Sequence, residues 1–156
     1  MTAVELLKED HQELVNLIGE LEAADDEPET GPRDTENFNR LNEAIKLHIR
    51  MEEEVFYPAM AELEETRDLA REAFKEHQTV DHLLAQLGTL APSDDEFQET
   101  LVELRDAIER HIEEEEGELF PKAEELCGQK RLNEMGQQMV WMKNNSRVRA
   151  ATSRRR

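Results

Sequence analysis

Residues 47–58 read LHIRMEEEVFYP, and residues 110–121 read RHIEEEEGELFP. Each stretch places a histidine four residues before a glutamate and ten residues before a proline. On an α-helix, residues four apart lie on one face, about one turn from each other. The two stretches therefore predict two helices that each present an imidazole and a carboxylate on the same face.

A second pair of matching segments precedes these stretches. EDHQELVNLIGEL (9–21) matches KEHQTVDHLLAQL (75–87), which pairs His11 with His77. Each half of the chain therefore supplies one histidine, then an HxxxE motif, and then a proline. A duplicated pair of helices predicts a pseudo-two-fold axis with equivalent residues on either side of it.

Composition and apolar spacing predict an all-α protein. Charged residues make up 37% of the chain and aromatic residues 4%, a balance typical of helices with solvated outer faces. Apolar residues recur at helical spacing in four long segments, and strand-like alternation is missing from the sequence. The expected fold is an up-down-up-down four-helix bundle over residues 1–128, followed by a short C-terminal helix and a disordered basic tail over residues 129–156.

Proline, glycine and capping patterns predict the element boundaries. Prolines and a glycine predict a loop over 25–34, and Pro58 should kink the second helix. Ser93 and Glu96 form a capping-box pattern at the start of the fourth helix, and Gly128 should end that helix. The predicted helices span residues 2–24, 34–65, 67–90 and 93–127, and a shorter segment over 130–143 should pack across one end of the bundle.

The uneven distribution of charge limits the expected partners. Residues 1–128 contain 11 Lys+Arg and 37 Asp+Glu, a balance of −26, whereas residues 129–156 contain 8 and 1, a balance of +7. The acidic body argues against nucleic acid as a main partner.

The N-terminal segment lacks the pattern of a signal peptide, and no apolar run reaches membrane-spanning length. The single cysteine, Cys127, fits a reducing compartment, so we expect a cytoplasmic monomer or weak oligomer without a membrane partner.

Histidines and glutamates interrupt the apolar stripes of the predicted helices. Each helix points one histidine inward, and these are His11, His48, His77 and His111. Glu52 and Glu115 also fall on the stripes, where an uncompensated buried carboxylate costs several kcal/mol, and no Lys or Arg accompanies them. A single histidine on an apolar face is usually a core residue, but four in phase with two glutamates predict a dinuclear metal site. The other acids of the EEE and EEEE runs are expected to be solvated.

With these motifs the sequence resembles the hemerythrin-like, HHE cation-binding family. The matching features are the DH and EH dipeptides at His11 and His77 and the two HxxxE motifs followed by FYP or LFP, and the resemblance covers about residues 3–127. It implies a four-helix bundle that holds a non-haem centre of two iron ions with oxo or hydroxo bridges, in preference to manganese or zinc. The implied ligands are His11, His48, His77 and His111 as terminal ligands, with Glu52 and Glu115 as bridging ligands.

The sequence departs from the oxygen-carrying hemerythrins on two helices. Those proteins have a fifth histidine in an HxxxH motif on helix 3 and an HxxxxD motif on helix 4, whereas helix 4 has HxxxE here. The residue four after His77 is Asp81. It is expected on the seam, the inward-facing stripe of the helix, as an extra ligand or as a partner that orients a histidine. His82 lies about 140° around the helix from His77 and is interpreted as off the seam, with a place behind the ligands as the alternative. These differences argue against reversible oxygen carriage.

The single tyrosine is the other open position. Tyr57 has Phe120 as its repeat counterpart and lies five residues after Glu52, off the ligand face of an ideal helix. Packing with a hydrogen bond at the rim of the site is the preferred interpretation. The alternative is that a kink or π-bulge before Pro58 turns the phenol inward, where it would fill an open iron position or stabilise ferric iron.

The implied centre allows several related functions. Two adjacent redox metals with an open face bind O₂, peroxide or NO and move two electrons. The first hypothesis is a di-iron protein that reacts with peroxide or O₂, with catalase-like peroxide consumption as the candidate enzymatic activity and no catalytic residue beyond the metal ligands. The alternatives are an O₂ or NO binding or sensing module, and an iron-handling protein similar to the hemerythrin domain of iron–sulfur cluster repair proteins. In the first two cases the expected partner is a small diatomic molecule or peroxide.

Overall fold

Helical backbone accounts for nearly all of the residues that the computed structural model describes, which are 1–23 and 32–154. In chain order the elements are α1 (Ala3–Ala23), α2 (Pro32–Met51), a first π segment (Glu52–Phe56), α3 (Tyr57–Ala61), α4 (Arg67–Gly88), α5 (Asp95–Glu114), a second π segment (Glu115–Leu119) and α6 (Phe120–Arg154). Helix α1 packs against α2 and α5, and α4 packs against α5. The predicted all-α, up-down-up-down bundle is confirmed. None of the described helices is both long and apolar enough to cross a membrane.

The two π segments lie directly before the two prolines of the repeated motif. Proline has no N–H, and inside an α-helix its ring clashes with the carbonyl four residues earlier. The helix widens by one residue before Pro58, so that the Tyr57 N–H donates to the carbonyl of Glu52. In the second repeat the Phe120 N–H donates to the carbonyl of Glu115 in the same way. The kink predicted at Pro58 is therefore a π turn, and it occurs in both halves.

The bundle core consists of two apolar clusters with a polar layer between them. The proline-side core includes Leu7, Met51, Phe56, Met60, Ala73, Leu119 and Phe120. The loop-side core includes Leu14, Ile18, Ile45, Val80, Leu84, Leu104 and Ile108. Each long helix of the bundle passes from one cluster to the other at its inward-facing histidine; His11, for example, lies between Leu7 and Leu14. The histidines therefore share one layer that is shielded by apolar side chains above and below.

The C-terminal helix differs from the prediction in both length and place. Helix α6 is interrupted at Gly128, whose φ of 79° and ψ of 163° are not helical, and helical backbone then continues to Arg154 instead of stopping at 143. Gly136 lies against the start of α1, and Lys143 is paired with Asp10 farther along α1. This segment therefore runs along α1 rather than across one end of the bundle. It buries Leu132, Met135, Met139 and Met142 against the proline-side core.

Several boundary predictions need correction. Helix α5 begins at Asp95 with Asp94 as its extended N-cap residue and without a side-chain cap, so the predicted Ser93–Glu96 capping box is wrong. The second predicted helix is divided by its π segment and ends at Ala61, because the chain then turns toward α4. Most of the predicted loop over 25–34 lies outside the described residues. The division of the chain at residues 128 and 129 stays a prediction.

The close approach of α6 to α1 predicts a stability difference between two glycine variants. A Cβ at Gly136 would collide with the carbonyl oxygen of Met1 and would lie 3.1 Å from the amide nitrogen of Ala3. We expect Gly136→Ala to lower the free energy of unfolding by about 1–3 kcal/mol, because α6 must move away from α1.

The matched control is Gly19→Ala, since a Cβ at Gly19 meets nothing within 4 Å. This change should raise the free energy of unfolding by about 0.5–1 kcal/mol through better helix propensity. Urea unfolding of the wild type and both variants measures the two effects. Equal stabilities for the two variants would contradict the contact between α6 and α1.

Candidate metal centre

The six predicted ligands converge in the polar layer between the two apolar cores. All six are at most 5% exposed, namely His11, His48, Glu52, His77, His111 and Glu115. They form two groups, one of His11, His48, Glu52 and Glu115 and the other of Glu52, His77, His111 and Glu115, and the ligand atoms of each group lie within 4.8 Å of one another. Both glutamates therefore belong to both groups. That these side chains bind metal stays a prediction.

The two groups are related in the same way as the two halves of the sequence. The ring centroids of His11 and His48 lie 4.9 Å apart with an interplanar angle of 59°. Those of His77 and His111 also lie 4.9 Å apart, with an angle of 58°. Each histidine pair comes from one half of the chain, so the pseudo-two-fold relation predicted from the repeat extends to the side chains of the centre.

A further carboxylate lies behind the histidine of each HxxxE motif. His48 Nδ1 donates to Asp10 Oδ2 at 3.2 Å, and His111 Nδ1 donates to Glu76 Oε1 at 3.2 Å. Asp10 and Glu76 occupy the position directly before the first histidine of each half. A carboxylate on Nδ1 fixes the orientation of the ring and leaves Nε2 free to face the cluster.

The other two histidines face a second pair of carboxylates. His77 Nδ1 donates to Glu53 Oε2 at 3.0 Å, and His11 Nδ1 lies 3.5 Å from Glu116 Oε2. Glu53 and Glu116 directly follow the two shared glutamates in the sequence. The expectation that the remaining acids of these runs are solvated is therefore wrong for Glu53, whereas the Glu116 side chain is 35% exposed and makes no hydrogen bond to His11. Their matching positions in the repeat were the signal that identifies them.

Neighbouring charges set the protonation of the cluster. Burial disfavours the charged form of His48, but the attraction of Glu52 and the hydrogen bond to Asp10 raise the pKa of His48 to about 10. Burial and the repulsion from Glu52 raise the pKa of Glu115 to about 8. Burial also opposes ionisation of Glu52, yet the attraction of His48 holds its pKa well below the usual value. The pKa of His111 is raised, because the attraction of Glu115 outweighs burial. Protons thus offset the buried negative charge.

Several buried atoms of the cluster lack a hydrogen-bond partner. They are both ring nitrogens of His11, Nε2 of His48, and Oε2 of Glu52 and of Glu115. His48 Nε2 is 3.0 Å from Glu52 Oε1, but the pair does not have hydrogen-bonding geometry. Burial and the repulsion from His48 lower the pKa of His11 to about 3, which keeps its ring neutral. An unpaired buried polar atom costs about 1–3 kcal/mol, so the donor set fits a pair of cations.

The first π segment turns Tyr57 into the cluster. The phenol oxygen lies 3.1 Å from His77 Nε2 and 3.4 Å from His111 Nε2, and it donates to Glu115 Oε1 at 3.2 Å. The preferred expectation of packing at the rim is therefore wrong. The π-bulge alternative explains the position, because five residues complete about one π turn instead of overshooting the ligand face by roughly 140°.

Tyr57 also breaks the symmetry of the centre. Its ring packs against His77 with centroids 5.1 Å apart, and its repeat counterpart Phe120 stacks on His11 with centroids 5.7 Å apart and an interplanar angle of 9°. The two aromatic residues thus pack on equivalent histidines, but Tyr57 alone of the two brings a hydroxyl to the cluster. Burial and the repulsion from the two shared glutamates raise its pKa well above the usual value.

Asp81 and His82, on α4, lie outside the cluster. Asp81 and His82 are both exposed and belong to neither ligand group. The seam position predicted for Asp81 is wrong, because Val80 and Leu84, three and seven residues after His77, take the inward positions. The interpretation of His82 as off the seam agrees with its exposure, and its alternative place behind the ligands is wrong.

A small cavity lies beside the four histidines, toward the loop-side core. Its volume is about 20 Å³, which exceeds the ~10–15 Å³ that one water molecule needs. The lining residues are His11, Leu14, Ile45, His48, Ile49, His77, Val80, Ile108, His111 and Ile112. Neither the shared glutamates nor Tyr57 contribute to this lining. The cavity therefore combines room for a very small molecule with direct access to the imidazole rings.

Comparison with known proteins agrees with the fold and with the resemblance to the HHE cation-binding family. The model of the hemerythrin HHE cation binding domain matches residues 2–123. A crystal structure of a hemerythrin HHE cation binding domain-containing protein from Mycobacterium kansasii shares the fold, with a TM-score of 0.83 and 24% identity over 99% of this chain and 93% of that chain. A DNA nickase from Nostoc sp. (strain PCC 7120 / SAG 25.82 / UTEX 2576) is 28% identical over 120 residues, 77% of this chain and 33% of that protein. This chain therefore spans about one third of the length of that relative.

The family match contains every residue of the two ligand groups, since residues 2–123 include both repeats of the histidine and glutamate motifs. The duplicated HxxxE motifs, the helical bundle and the buried cluster are thus parts of one domain. This chain belongs to the hemerythrin HHE cation-binding domain family, and it is a cation-binding, hemerythrin-like protein.

Proposed function

We propose that this protein holds a non-haem di-iron centre that reacts with or binds small oxidants such as peroxide and O₂. The observation that carries the proposal is the pair of ligand groups that share Glu52 and Glu115. One iron would be bound by the histidines of the first half of the chain, the other by those of the second half, and the two glutamates would bridge them. The terminal ligands are His11, His48, His77 and His111.

The donor set supports iron over softer metals. Imidazole and carboxylate ligands suit iron or manganese, whereas copper(I) prefers thiolate and thioether ligands. The outer carboxylates make the histidines more basic and keep their rings in place. When bound, two redox-active metals side by side supply a pair of electrons to a small oxidant. The two apolar cores exclude water from this layer, which strengthens the electrostatic interactions within it.

The cavity beside the histidines supports a small ligand. At about 20 Å³ it has room for a molecule near the size of water and not for an organic substrate. Its aliphatic walls would hold an uncharged molecule such as O₂ or hydrogen peroxide against the imidazole face of the centre. Turnover of peroxide in this position is the candidate catalase-like activity.

Tyr57 is the residue most suited to modify the reactivity of the centre. Its phenol lies within 3.4 Å of two of the proposed ligand nitrogens and donates a hydrogen bond to Glu115. We assign it as an additional ligand in the iron-loaded protein. It would help His77, His111 and the shared glutamates to hold one of the irons, and a phenolate would stabilise the ferric state.

Reversible binding of O₂ or NO is the second candidate function. Apart from the four histidines, which are proposed metal ligands, the cavity lining is aliphatic. A ligand that needs no proton, such as O₂ or NO, would fit such a lining without further reaction. This observation supports a binding or sensing module as the alternative.

DNA cleavage, the activity in the name of the Nostoc relative, is not part of the proposal. The shared region is one third of that protein, and residues 1–128 of this chain have a net charge of −26. A surface of this sign repels the DNA backbone.

Metal content and peroxide consumption test the proposed function. We expect the purified wild type to hold two irons per chain, one for each ligand group, and to release O₂ from hydrogen peroxide. His111→Ala should lower the iron content and abolish O₂ release, because His111 is a proposed ligand. The matched control is His82→Ala, since His82 is exposed and outside both groups.

Three results would contradict this prediction. A wild type that holds one metal per chain or fewer would exclude a dinuclear centre. Two irons per chain with a reversible O₂ spectrum and no peroxide turnover would replace the enzyme with the binding module. An equal loss of activity in His82→Ala would show that the effect of His111→Ala is not specific to the ligand group.

A Tyr57→Phe variant tests the additional ligand. We expect the oxidised, iron-loaded wild type to absorb visible light through charge transfer from phenolate to iron, and Tyr57→Phe to lose this band while it keeps two irons per chain. In the metal-free protein the same change removes one buried hydrogen bond and should lower the free energy of unfolding by about 0.5–1.5 kcal/mol. An unchanged visible spectrum would limit Tyr57 to hydrogen bonding.

The protonation of the cluster predicts pH-dependent metal affinity. Below their raised pKa values, His48 (about 10), Glu115 (about 8) and His111 hold protons in the metal-free protein, and they must release them to coordinate a cation. The affinity should therefore rise between pH 6 and 8, by roughly tenfold per pH unit for each proton released. Calorimetric titration with Zn²⁺ at pH 7, in two buffers of different ionisation enthalpy, measures the number of protons. A binding heat that is independent of the buffer would contradict the prediction.

A further inference from the structure

We propose that a groove between α4 and the second π segment is the route by which divalent cations reach the buried centre. This inference rests on the proposed function, because it assigns the uptake path of the same two metals. The groove has a volume of about 240 Å³, and it is lined by Leu69, Glu72, Ala73, Glu76, Glu114, Glu115, Glu118 and Leu119. Five of the eight lining residues are glutamates, and none is a lysine or arginine.

The glutamates of this acidic groove extend from solvent to the cluster. The side chain of Glu72 is 67% exposed, that of Glu76 is 20% exposed, and that of Glu115 is 1% exposed. Glu114 and Glu118 are also exposed. A cation that enters from solvent therefore meets carboxylate oxygens at each depth. Lys75, 4.0 Å from Glu72, is itself 64% exposed and neutralises the outer end only weakly.

The inner end of the groove contains a group that lacks a partner. Glu115 lines the groove, and its Oε2 is buried without a hydrogen bond. Glu76 lines it as well and accepts a hydrogen bond from His111 Nδ1 at 3.2 Å. Both residues therefore belong to the groove and to the centre, so a cation can pass from one to the other without leaving carboxylate oxygens.

The corresponding carboxylate of the other half has basic neighbours. Asp10 is the repeat counterpart of Glu76, but it is paired with Lys143 of α6. The cavity next to Asp10 is lined by three acids, Asp10, Glu13 and Glu43, and by two bases, Arg40 and Lys143. The bases offset most of this negative charge, whereas the acidic groove has five glutamates and no base, and the small cavity beside the histidines has no carboxylate. The asymmetry introduced by α6 thus favours uptake on the side of α4.

Elementary electrostatics supports this route. A hydrated divalent cation is concentrated in a cleft lined by negative charge, and such steering raises association rates in a salt-dependent way. Along the groove, carboxylate oxygens would take the place of water molecules around the cation. Neutralising the exposed glutamates should therefore slow uptake without changing the number of metals bound at equilibrium, because these residues are not ligands of the centre.

The test is the rate at which the full-length, metal-free protein takes up Fe²⁺ without oxygen. Iron per chain is measured after timed removal of free metal. The groove variant is Glu72→Gln with Glu118→Gln, and the matched control is Glu99→Gln with Glu103→Gln, which removes the same charge from exposed positions outside the groove. We expect the groove variant to load about threefold to tenfold more slowly than the control at low salt. Both should reach the wild-type iron content, and the difference should shrink at 0.5 M NaCl, roughly as screening requires.

The possible results separate this inference from the proposed function. Equal loading rates for the two double variants, in a protein that binds two irons, would overturn the route and leave the centre intact. A lower final iron content in the groove variant would also overturn it, because Glu72 or Glu118 would then be a binding residue and not part of a path. A wild type that takes up no iron would overturn the centre, and the route with it.

Discussion

Two carboxylates buried in the middle of a helical bundle are the constraint on which the rest of the structure depends. Glu52 and Glu115 are 0% and 1% exposed and lie between two apolar cores. A buried charge without compensation destabilises a fold by several kcal/mol, so each neighbouring residue must supply a proton, a hydrogen bond or a cation. In the metal-free protein His48 and His111, whose pKa values are raised, supply part of this compensation, and Oε2 of each glutamate stays without a hydrogen bond. The apolar cores on either side confine the polar groups to one layer.

The prolines of the repeat have a consequence beyond a bend in the helix. Because proline cannot donate a backbone hydrogen bond, the chain widens into a π turn just after each shared glutamate. This turn brings the residue five positions after the glutamate onto the ligand face. In one half that residue is Tyr57, whose hydroxyl reaches the cluster, and in the other it is Phe120, which stacks on His11. A single side-chain difference thus separates two otherwise equivalent halves.

The surroundings of the centre are less symmetric than the centre itself. The histidine pairs have nearly identical geometry, and Asp10 and Glu76 hold equivalent rings at the same distance. Helix α6 lies along α1, however, and its Lys143 pairs with Asp10 while Glu76 lines an acidic groove. The element that follows the duplicated bundle therefore gives the two halves different electrostatic environments. The proposed path of metal uptake depends on this difference in surroundings and not on a difference between the proposed ligands.

The sequence by itself determined the helical bundle, the inward histidine of each long helix and the two shared glutamates, because helical periodicity assigns a face to every residue and the repeat confirms the assignment. It also identified Tyr57 as the residue that breaks the repeat, but not where the phenol lies, since an ideal helix places it off the ligand face. Tertiary structure decided that position through the π turn. It also decided that Glu53 accepts a hydrogen bond from His77 while Glu116 only approaches His11, because the matching repeat positions of these acids do not fix the rotamers of their side chains. Finally, it placed Asp81 in solvent, because the rotation of a helix about its axis depends on contacts with residues far away in the chain. It placed α6 along α1 for the same reason, since no local pattern fixes where α6 docks.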